Sequence, residues 1–294
     1  MTLFDIAFII IISVTFDMIG TSESIGKTID DAVCRGTKGK DVAVAFSGGL
    51  DSGLIAALTK KYASSAMLYT AGMLKDGGET DDMHYWSHDA IAAKETAAYL
   101  EMEWTHICIT ESDIEKIIEE MMRITGTMDP LTIAFELPLF FVCSNCKENT
   151  VIGGQGADEV FGGYSKYVDL DVGSFVEMRK EDLRRLNEST LLHERKVAEH
   201  FGKEILYPFL DQELLKIVDG MGAEAIIPRE SGRKMVLRNV VKEMGYDFIA
   251  DKEKKAAQYG SGVMYLIRRI CKRKGMTYGE LIDDLSKKIQ SDGI

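Results

Sequence analysis

Ala45-Phe46-Ser47-Gly48-Gly49-Leu50-Asp51-Ser52 is the stretch that decides the fold. Val42 to Phe46 (VAVAF) leads into it as a wholly apolar run, as a strand buried on both faces requires. Leu50 to Ala63 (LDSGLIAALTKKYA) follows it and reads as a helix. Between them, Gly48-Gly49 lets the backbone fold closely around a ligand, and the helix start offers unpaired N–H groups at the positive end of its dipole. Such a junction takes phosphate. No Lys follows as in a G-x-x-x-x-G-K-[ST] loop, so γ-phosphate transfer is not indicated. A carboxylate, Asp51, stands there instead and would repel phosphate unless it held a cation. The plainer reading is a tight turn capped by Ser47 and Asp51, but two hydroxyls, two glycines and a carboxylate at this spacing favour a site.

Working outward, Ala66 to Thr70 reads as a second strand, Asp89 to Glu101 as an Ala-rich helix and Thr105 to Ile109 as a third strand. Ser112-x-x-Glu115 has the capping-box pattern at the head of a helix running to about Thr125. Leu131 to Lys147 continues as helix, and Thr150 to Ile152 is a short fourth strand. Strands separated by helices of this length imply an α/β fold, a doubly wound parallel sheet whose ligands bind beyond the carboxyl ends of the strands. On that rim the reading places three small-residue breaks: Ser47-Gly48-Gly49, a turn at Thr70-Ala71-Gly72, and Gly153-Gly154-Gln155-Gly156. After Tyr164 the runs are helical, at Phe175 to Arg195, Gln212 to Met221, Arg233 to Met244 and Val263 to Lys274. The expected organisation is a nucleotide-binding core over 18–164 and a mostly helical subdomain over 165–294, packed on one side of the sheet.

The second chemical signal is Gly153-Gly154-Gln155-Gly156-Ala157-Asp158-Glu159-Val160-Phe161-Gly162-Gly163-Tyr164, glycines bracketing an acidic pair. Mg²⁺ prefers one or two carboxylates plus water and substrate phosphates. Asp51 and Asp158, on neighbouring loops of one rim, could supply them. A solvated acidic pair in a glycine-rich loop is the bland alternative.

Composition narrows the partners. The 294 residues carry 35 Lys+Arg against 47 Asp+Glu, a net charge of −12, which disfavours nucleic acid held by general phosphate neutralisation. A small anionic ligand then needs local cations, backbone N–H groups or metal. Five cysteines are an odd number in a chain long enough to need no staples, so a reducing cytoplasm fits, and the lone Cys143-Ser-Asn-Cys146 pair is a weak metal or redox signal. Leu3 to Phe16 is largely apolar, yet shorter than the roughly 20 residues that span a bilayer. No Lys or Arg precedes Lys27, so a secretory signal is not indicated. The expectation is no membrane anchor, with residues 1–17 a doubtful extension and Met18 the true start.

SGGLDS, with GGQGADEVFGGY, Tyr207-Pro208-Phe209-Leu210-Asp211 and a Gln258-Tyr259-Gly260 region, resembles the synthetase domain of asparagine synthetases and the related β-lactam synthetases. These are PP-loop ATP pyrophosphatases. The resemblance runs from about Ile29 to Arg269. It implies ATP and Mg²⁺, with Ser47, Gly48, Gly49, Leu50, Asp51 and Ser52 cradling pyrophosphate and Asp51 and Asp158 holding the metal. Ala45 and Thr70-Ala71-Gly72 would contact the nucleoside, with Gly153 and Gly154 near the reacting centre. Lys234 falls where the family places a phosphate-contacting lysine, and Lys254 or Lys255 where it places a second. The implied chemistry is attack of a carboxylate on the α-phosphorus, then displacement of AMP by an amine, with aspartate and ammonia the first choice.

Three departures bear on that implication. Gln155 stands where asparagine synthetases have Glu, and an amide cannot act as a general base. Leu206 stands where Arg is usual. The glutaminase domain with its N-terminal cysteine is not among these residues, so the nitrogen source is free ammonia, a separate glutaminase subunit or another amine. The competing readings are a PP-loop sulfurtransferase or tRNA-modifying enzyme, for which Cys143 and Cys146 would matter, and a non-catalytic ATP-binding subunit.

Overall fold

Among the described residues, five parallel strands form one sheet, in the spatial order Trp104–Ile109, Ser65–Met73, Asp41–Ala45, Thr150–Ile152 and Glu204–Leu206. The computed structural model describes residues 22–74, 82–230, 232–252 and 257–292. The 1–17 extension, the proposed start at Met18, and Lys254 and Lys255 lie outside the described residues. A first helix, α1, covers 22–37. It is followed by β1 (Asp41–Ala45), α2 (Leu50–Tyr62), β2 (Ser65–Met73), α3 (His88–Tyr99), β3 (Trp104–Ile109), α4 (Glu111–Thr125), α5 (Pro130–Asn145) and β4 (Thr150–Ile152). Beyond β4 come α6 (Ala157–Phe161), α7 (Val172–Arg185), α8 (Leu191–His200), β5 (Glu204–Leu206), α9 (Gln212–Gly220), α10 (Ala223–Ile226), α11 (Met235–Glu243), α12 (Asp247–Ala250), α13 (Ala257–Gly260), α14 (Val263–Lys274) and α15 (Tyr278–Asp292).

The period-two alternation of the strands separates two hydrophobic layers. Val42, Val44, Leu68 and Ile152 join Ile25, Ile29, Leu54 and Leu58 in one cluster. Ala43, Tyr69, Ala71 and Val151 join Ile114, Ile118, Phe140 and Leu266 in the other. With both faces covered, the strands must be apolar throughout, which is why VAVAF could be read as central.

Several local expectations need correction. Thr70-Ala71-Gly72 is not a turn: β2 continues to Met73, pairing Gly72 with Cys108 and Met73 with Ile109. The cap of α4 sits two residues earlier, where the Asp113 carboxylate accepts from the N–H of Thr110 at 3.1 Å and from its hydroxyl at 2.5 Å. Residues after 164 are not purely helical, since β5 pairs with β4 through Ile205 and Leu206. Nor do they lie on one side. Phe175, Leu214 and Leu237 belong to the first cluster, whereas Val197, Leu266 and Leu281 belong to the second. The long helix expected over 175–195 is interrupted by a π-helical turn at Leu186–Thr190 before α8. No single helix among the described residues is long and apolar enough to cross a membrane.

Candidate active site at the switch point

The chain leaves β1 towards β2 on one side, while β4 lies on the other, so the strand order reverses between β1 and β4. Ligand crevices in open α/β sheets form at that reversal. Here the loop after β1 faces the loop after β4 closely. A Cβ at Gly154 would come 2.9 Å from the Asp51 Cβ and 3.2 Å from the Ser52 nitrogen.

Within the first loop, Ser47 N–H donates to Ser52 Oγ at 3.1 Å, and the two hydroxyls are 3.1 Å apart. Gly48 has φ +74°, and a Cβ there would lie 2.3–2.4 Å from the backbone of Ala92 and Ala93. Its carbonyl accepts from the Thr96 hydroxyl at 2.8 Å. Gly48→Ala therefore faces a left-handed conformation and a backbone clash together. It should cost about 3 kcal/mol of stability, read as a lower urea midpoint at unchanged slope. An unchanged midpoint would show that α3 yields freely.

Lys234 closes the site from a position 183 residues beyond Asp51. Its Nζ lies 2.6 Å from Asp51 Oδ2 and 2.8 Å from Asp158 Oδ1, with a side chain only 3% exposed. Burial pulls its pKa down, and the Asp51 carboxylate opposes that shift. The residue takes a left-handed conformation, φ +57°, immediately before α11, a strain of roughly 1 kcal/mol of the kind that collects at functional sites. Gly163 makes room for it: a Cβ there would fall 1.8 Å from Asp158 Oδ1 and 2.1 Å from Lys234 Cε.

Two cavities meet at Ser47, Asp51 and Asp89. The first, about 320 Å³, is bounded by Gly48, Gly49 and Leu50 and by the cations Arg233, Lys234, Arg238 and Lys252. The second, about 210 Å³, is bounded by Ala45, Ser52, Thr70, Ala71, Gly153, Gly154, Gln155 and Asp158. Of the site residues read from sequence, those among the described residues come together around one crevice, except Gly72, which borders neither cavity and packs against Ser87 and His106. Sequence reading missed Arg233, Arg238 and Lys252. Arg238 ties its own loop together, donating to the carbonyls of Arg233 at 3.1 Å and Lys252 at 3.0 Å. Arg233 had a signal, its place beside Lys234, whereas Arg238 sits on α11 and Lys252 in the loop after α12, where nothing local marks either as a site residue.

The donor set fits a hard divalent cation that keeps substrate phosphates among its ligands. Asp51 Oδ1 is buried with no hydrogen-bond partner, beside Asp158. No group of three or more metal-ligating side chains occurs among the described residues. A two-carboxylate Mg²⁺ site matches that arrangement. Cys143 and Cys146, by contrast, are buried at the end of α5, and burial pushes the Cys143 thiol up to about 12, which suits packing better than sulfur transfer.

A family model described as asparagine synthase matches residues 24–177, over half of the chain. The chain belongs to the asparagine synthase family. Among curated relatives, a putative glutamine-hydrolysing asparagine synthetase 1 of Methanocaldococcus jannaschii is 28% identical, over 92% of this chain and 56% of that protein. Asparagine synthetase 1 of Lotus japonicus is 29% identical, over 76% of this chain and 39% of its own length. The chain therefore spans about half, or less, of the length of these asparagine synthetases. Distant likenesses among solved structures include an NMN synthetase from Francisella tularensis, TM-score 0.42 at 16% identity over 92% of this chain and 86% of that one. An NH3-dependent NAD synthetase from Campylobacter jejuni gives 0.35 at 15% identity over 94% of each chain.

Proposed function

We propose that this chain is an AMP-forming amide ligase that adenylates aspartate with release of pyrophosphate and then transfers the aspartyl group to ammonia. The observation that carries the reading is the meeting of Asp51, Asp158 and Lys234 where a cation-lined cavity joins one walled by small residues.

In this reading the triphosphate lies across the junction. The β- and γ-phosphates occupy the first cavity, near Arg233, Lys234 and Lys252 and the glycine loop at the head of α2. Adenosine packs in the second, between Ala45 and the β2 residues Thr70 and Ala71. The carboxylate substrate sits by Gly154 and Gln155, where its oxygen attacks the α-phosphorus and the bond to pyrophosphate breaks. Lys234 offsets charge growing on the leaving pyrophosphate, a preorganised cation that need not move into place. Mg²⁺ held by Asp51 and Asp158 would add Lewis-acid neutralisation of the same phosphates. Gln155 orients by hydrogen bonding but takes no proton. The core over 18–164 supplies the nucleotide loops, and the segment over 165–294 supplies Lys234. Nitrogen arrives as free ammonia or from a separate glutaminase subunit, and the compartment is the cytoplasm.

Exchange of labelled pyrophosphate into ATP, measured with aspartate and a panel of other carboxylic acids, tests this. Aspartate-dependent exchange is expected without any amine, and AMP-coupled asparagine formation once ammonium is added. Exchange that appears only with tRNA would replace the proposal with the nucleic-acid-modifying reading, and exchange with no carboxylate at all would remove it.

A further inference from the structure

A third cavity, about 240 Å³, adjoins the second, and Phe135, Gln155 and Tyr164 line both. It carries charge of both signs. Its acids are buried, Glu159 being 4% exposed and Asp182 9%. The Tyr164 hydroxyl donates to Glu159 Oε1 at 2.6 Å, and Asp182 accepts from Lys166 Nζ and from the Tyr167 hydroxyl, each at 2.6 Å. Its cations, Lys166 and Arg185, keep side chains 47% and 69% exposed, so their donors can turn to a ligand. Leu186 and Thr190, the two ends of the π-helical turn between α7 and α8, complete the lining. Such turns are rare and collect at functional sites.

The second cavity lacks what this one has. Among the described residues it is lined by Asp51, Asp89, Asp158 and Glu194 and by no Lys or Arg. Lys234 is held between Asp51 and Asp158, and Arg233, Arg238 and Lys252 line the first cavity. Leu206 stands where the family resemblance leads one to expect an arginine. An amino-acid substrate brings an α-carboxylate and an α-ammonium besides the carboxylate that reacts. Set among four acids with no cation, that α-carboxylate would be desolvated and repelled. In the third cavity Lys166 and Arg185 offer it charged donors, while Glu159 and Asp182 offer acceptors to the ammonium. Burial pushes the Glu159 carboxyl up and Tyr164 opposes that shift, so a cation arriving beside it favours its charged form further. An ion of one sign would meet its like on part of the lining, whereas a zwitterion finds a complement for each end.

Resting on the adenylation reading above, we infer that the third cavity is the subsite for the zwitterionic head of the amino-acid substrate, with Lys166 and Arg185 taking its α-carboxylate and Glu159 and Asp182 its α-ammonium. The reacting side-chain carboxylate then passes Gln155, which lines both spaces, and enters the second cavity towards the α-phosphorus. The cation that Leu206 cannot supply is thereby carried by Lys166, in the turn Ser165–Tyr167, and by Arg185, at the end of α7. Selection for the amino acid is exerted at its head, away from the atoms that react.

The test measures ATP–pyrophosphate exchange by the full chain with aspartate, with β-alanine, which is aspartate without its α-carboxylate, and with succinate, which is aspartate without its ammonium. Replacing both cations, Lys166→Met with Arg185→Met, should raise the KM for aspartate about 30-fold while kcat and the KM for ATP stay within about threefold. Exchange with β-alanine should be unaltered, because the group that the cations would hold is missing from it. Arg185→Met alone keeps the Lys166–Asp182 pair and should raise the KM for aspartate about fivefold. A KM for aspartate within twofold of the parent in the double variant would overturn the assignment, as would an equal fall with aspartate and β-alanine, which marks a structural role. Succinate used as well as aspartate by the parent would remove the part given to Glu159 and Asp182. Absence of aspartate-dependent exchange in the parent removes the adenylation reading and this subsite with it, so the two failures are distinct.

Discussion

Asp51→Ala should reduce ATP–pyrophosphate exchange by at least about 1,000-fold, a loss of roughly 4 kcal/mol of transition-state stabilisation. The carboxylate has two oxygens with different situations. Oδ2 accepts from Lys234 Nζ at 2.6 Å, and Oδ1 is buried with no partner. A carboxylate beside a phosphate loop is unfavourable unless a cation sits between them, so Oδ1 is where the proposed Mg²⁺ would be recruited to the triphosphate. Alanine removes that ligand and also leaves the buried Lys234 ammonium with Asp158 alone. Breaking a buried pair of this kind costs about 3–5 kcal/mol unless the lysine gives up its proton. Circular dichroism and a urea titration on the same preparation separate loss of fold from loss of chemistry. Asp51→Asn is the companion, because it keeps volume and a hydrogen-bond acceptor but not the charge. It should fold with a midpoint close to that of the parent and be as inactive as the alanine variant. Full exchange in either would overturn the metal assignment.

How much of this could be read from the chain follows from the range of the forces. Val42 to Phe46 and Val151-Ile152 declared themselves because strands covered on both faces are predominantly apolar. The glycine loops declared themselves because Gly48 and Gly154 sit where a Cβ would strike backbone or Asp51. Thr70-Ala71-Gly72 misled, since a glycine that marks a turn and one that lets a neighbour approach look alike in sequence. Here Gly72 is inside β2, and a Cβ on it would lie 2.4 Å from the Ser87 hydroxyl. β5 was missed because three residues at a sheet edge carry too short a pattern to stand out. Lys166 and Arg185 had no local signal at all: one is a single cation in a short turn, the other one of several on α7, and only the fold brings them to a cavity beside Gln155. The candidate site was therefore legible where backbone geometry restricts residue type and illegible where a side chain is defined by what it meets in space.

Lys234, which the family resemblance named and no local pattern did, carries the second large expectation. Lys234→Met keeps most of the stem and removes the ammonium, so it should lower kcat for exchange by about 100- to 1,000-fold, with a smaller change in the KM for ATP. That division follows from the proposed role: charge on the departing pyrophosphate is greatest in the transition state, whereas ground-state ATP would also be held by the loop N–H groups and by Arg233 and Lys252. Lys234→Arg distinguishes a cation of any shape from an ammonium at one point. The lysine stem runs so close to Gly163 that a Cβ there would be 2.1 Å from its Cε, and its Nζ already meets both aspartates below 3 Å. A planar guanidinium is wider and directs its donors as a fork, so it cannot take that position without displacing Asp51 or Asp158. Arginine should consequently restore the charge without restoring the rate, leaving exchange within tenfold of the methionine variant. Arginine activity within tenfold of the parent would mean that a diffuse positive field suffices, and the point-charge role argued for Lys234 would fall.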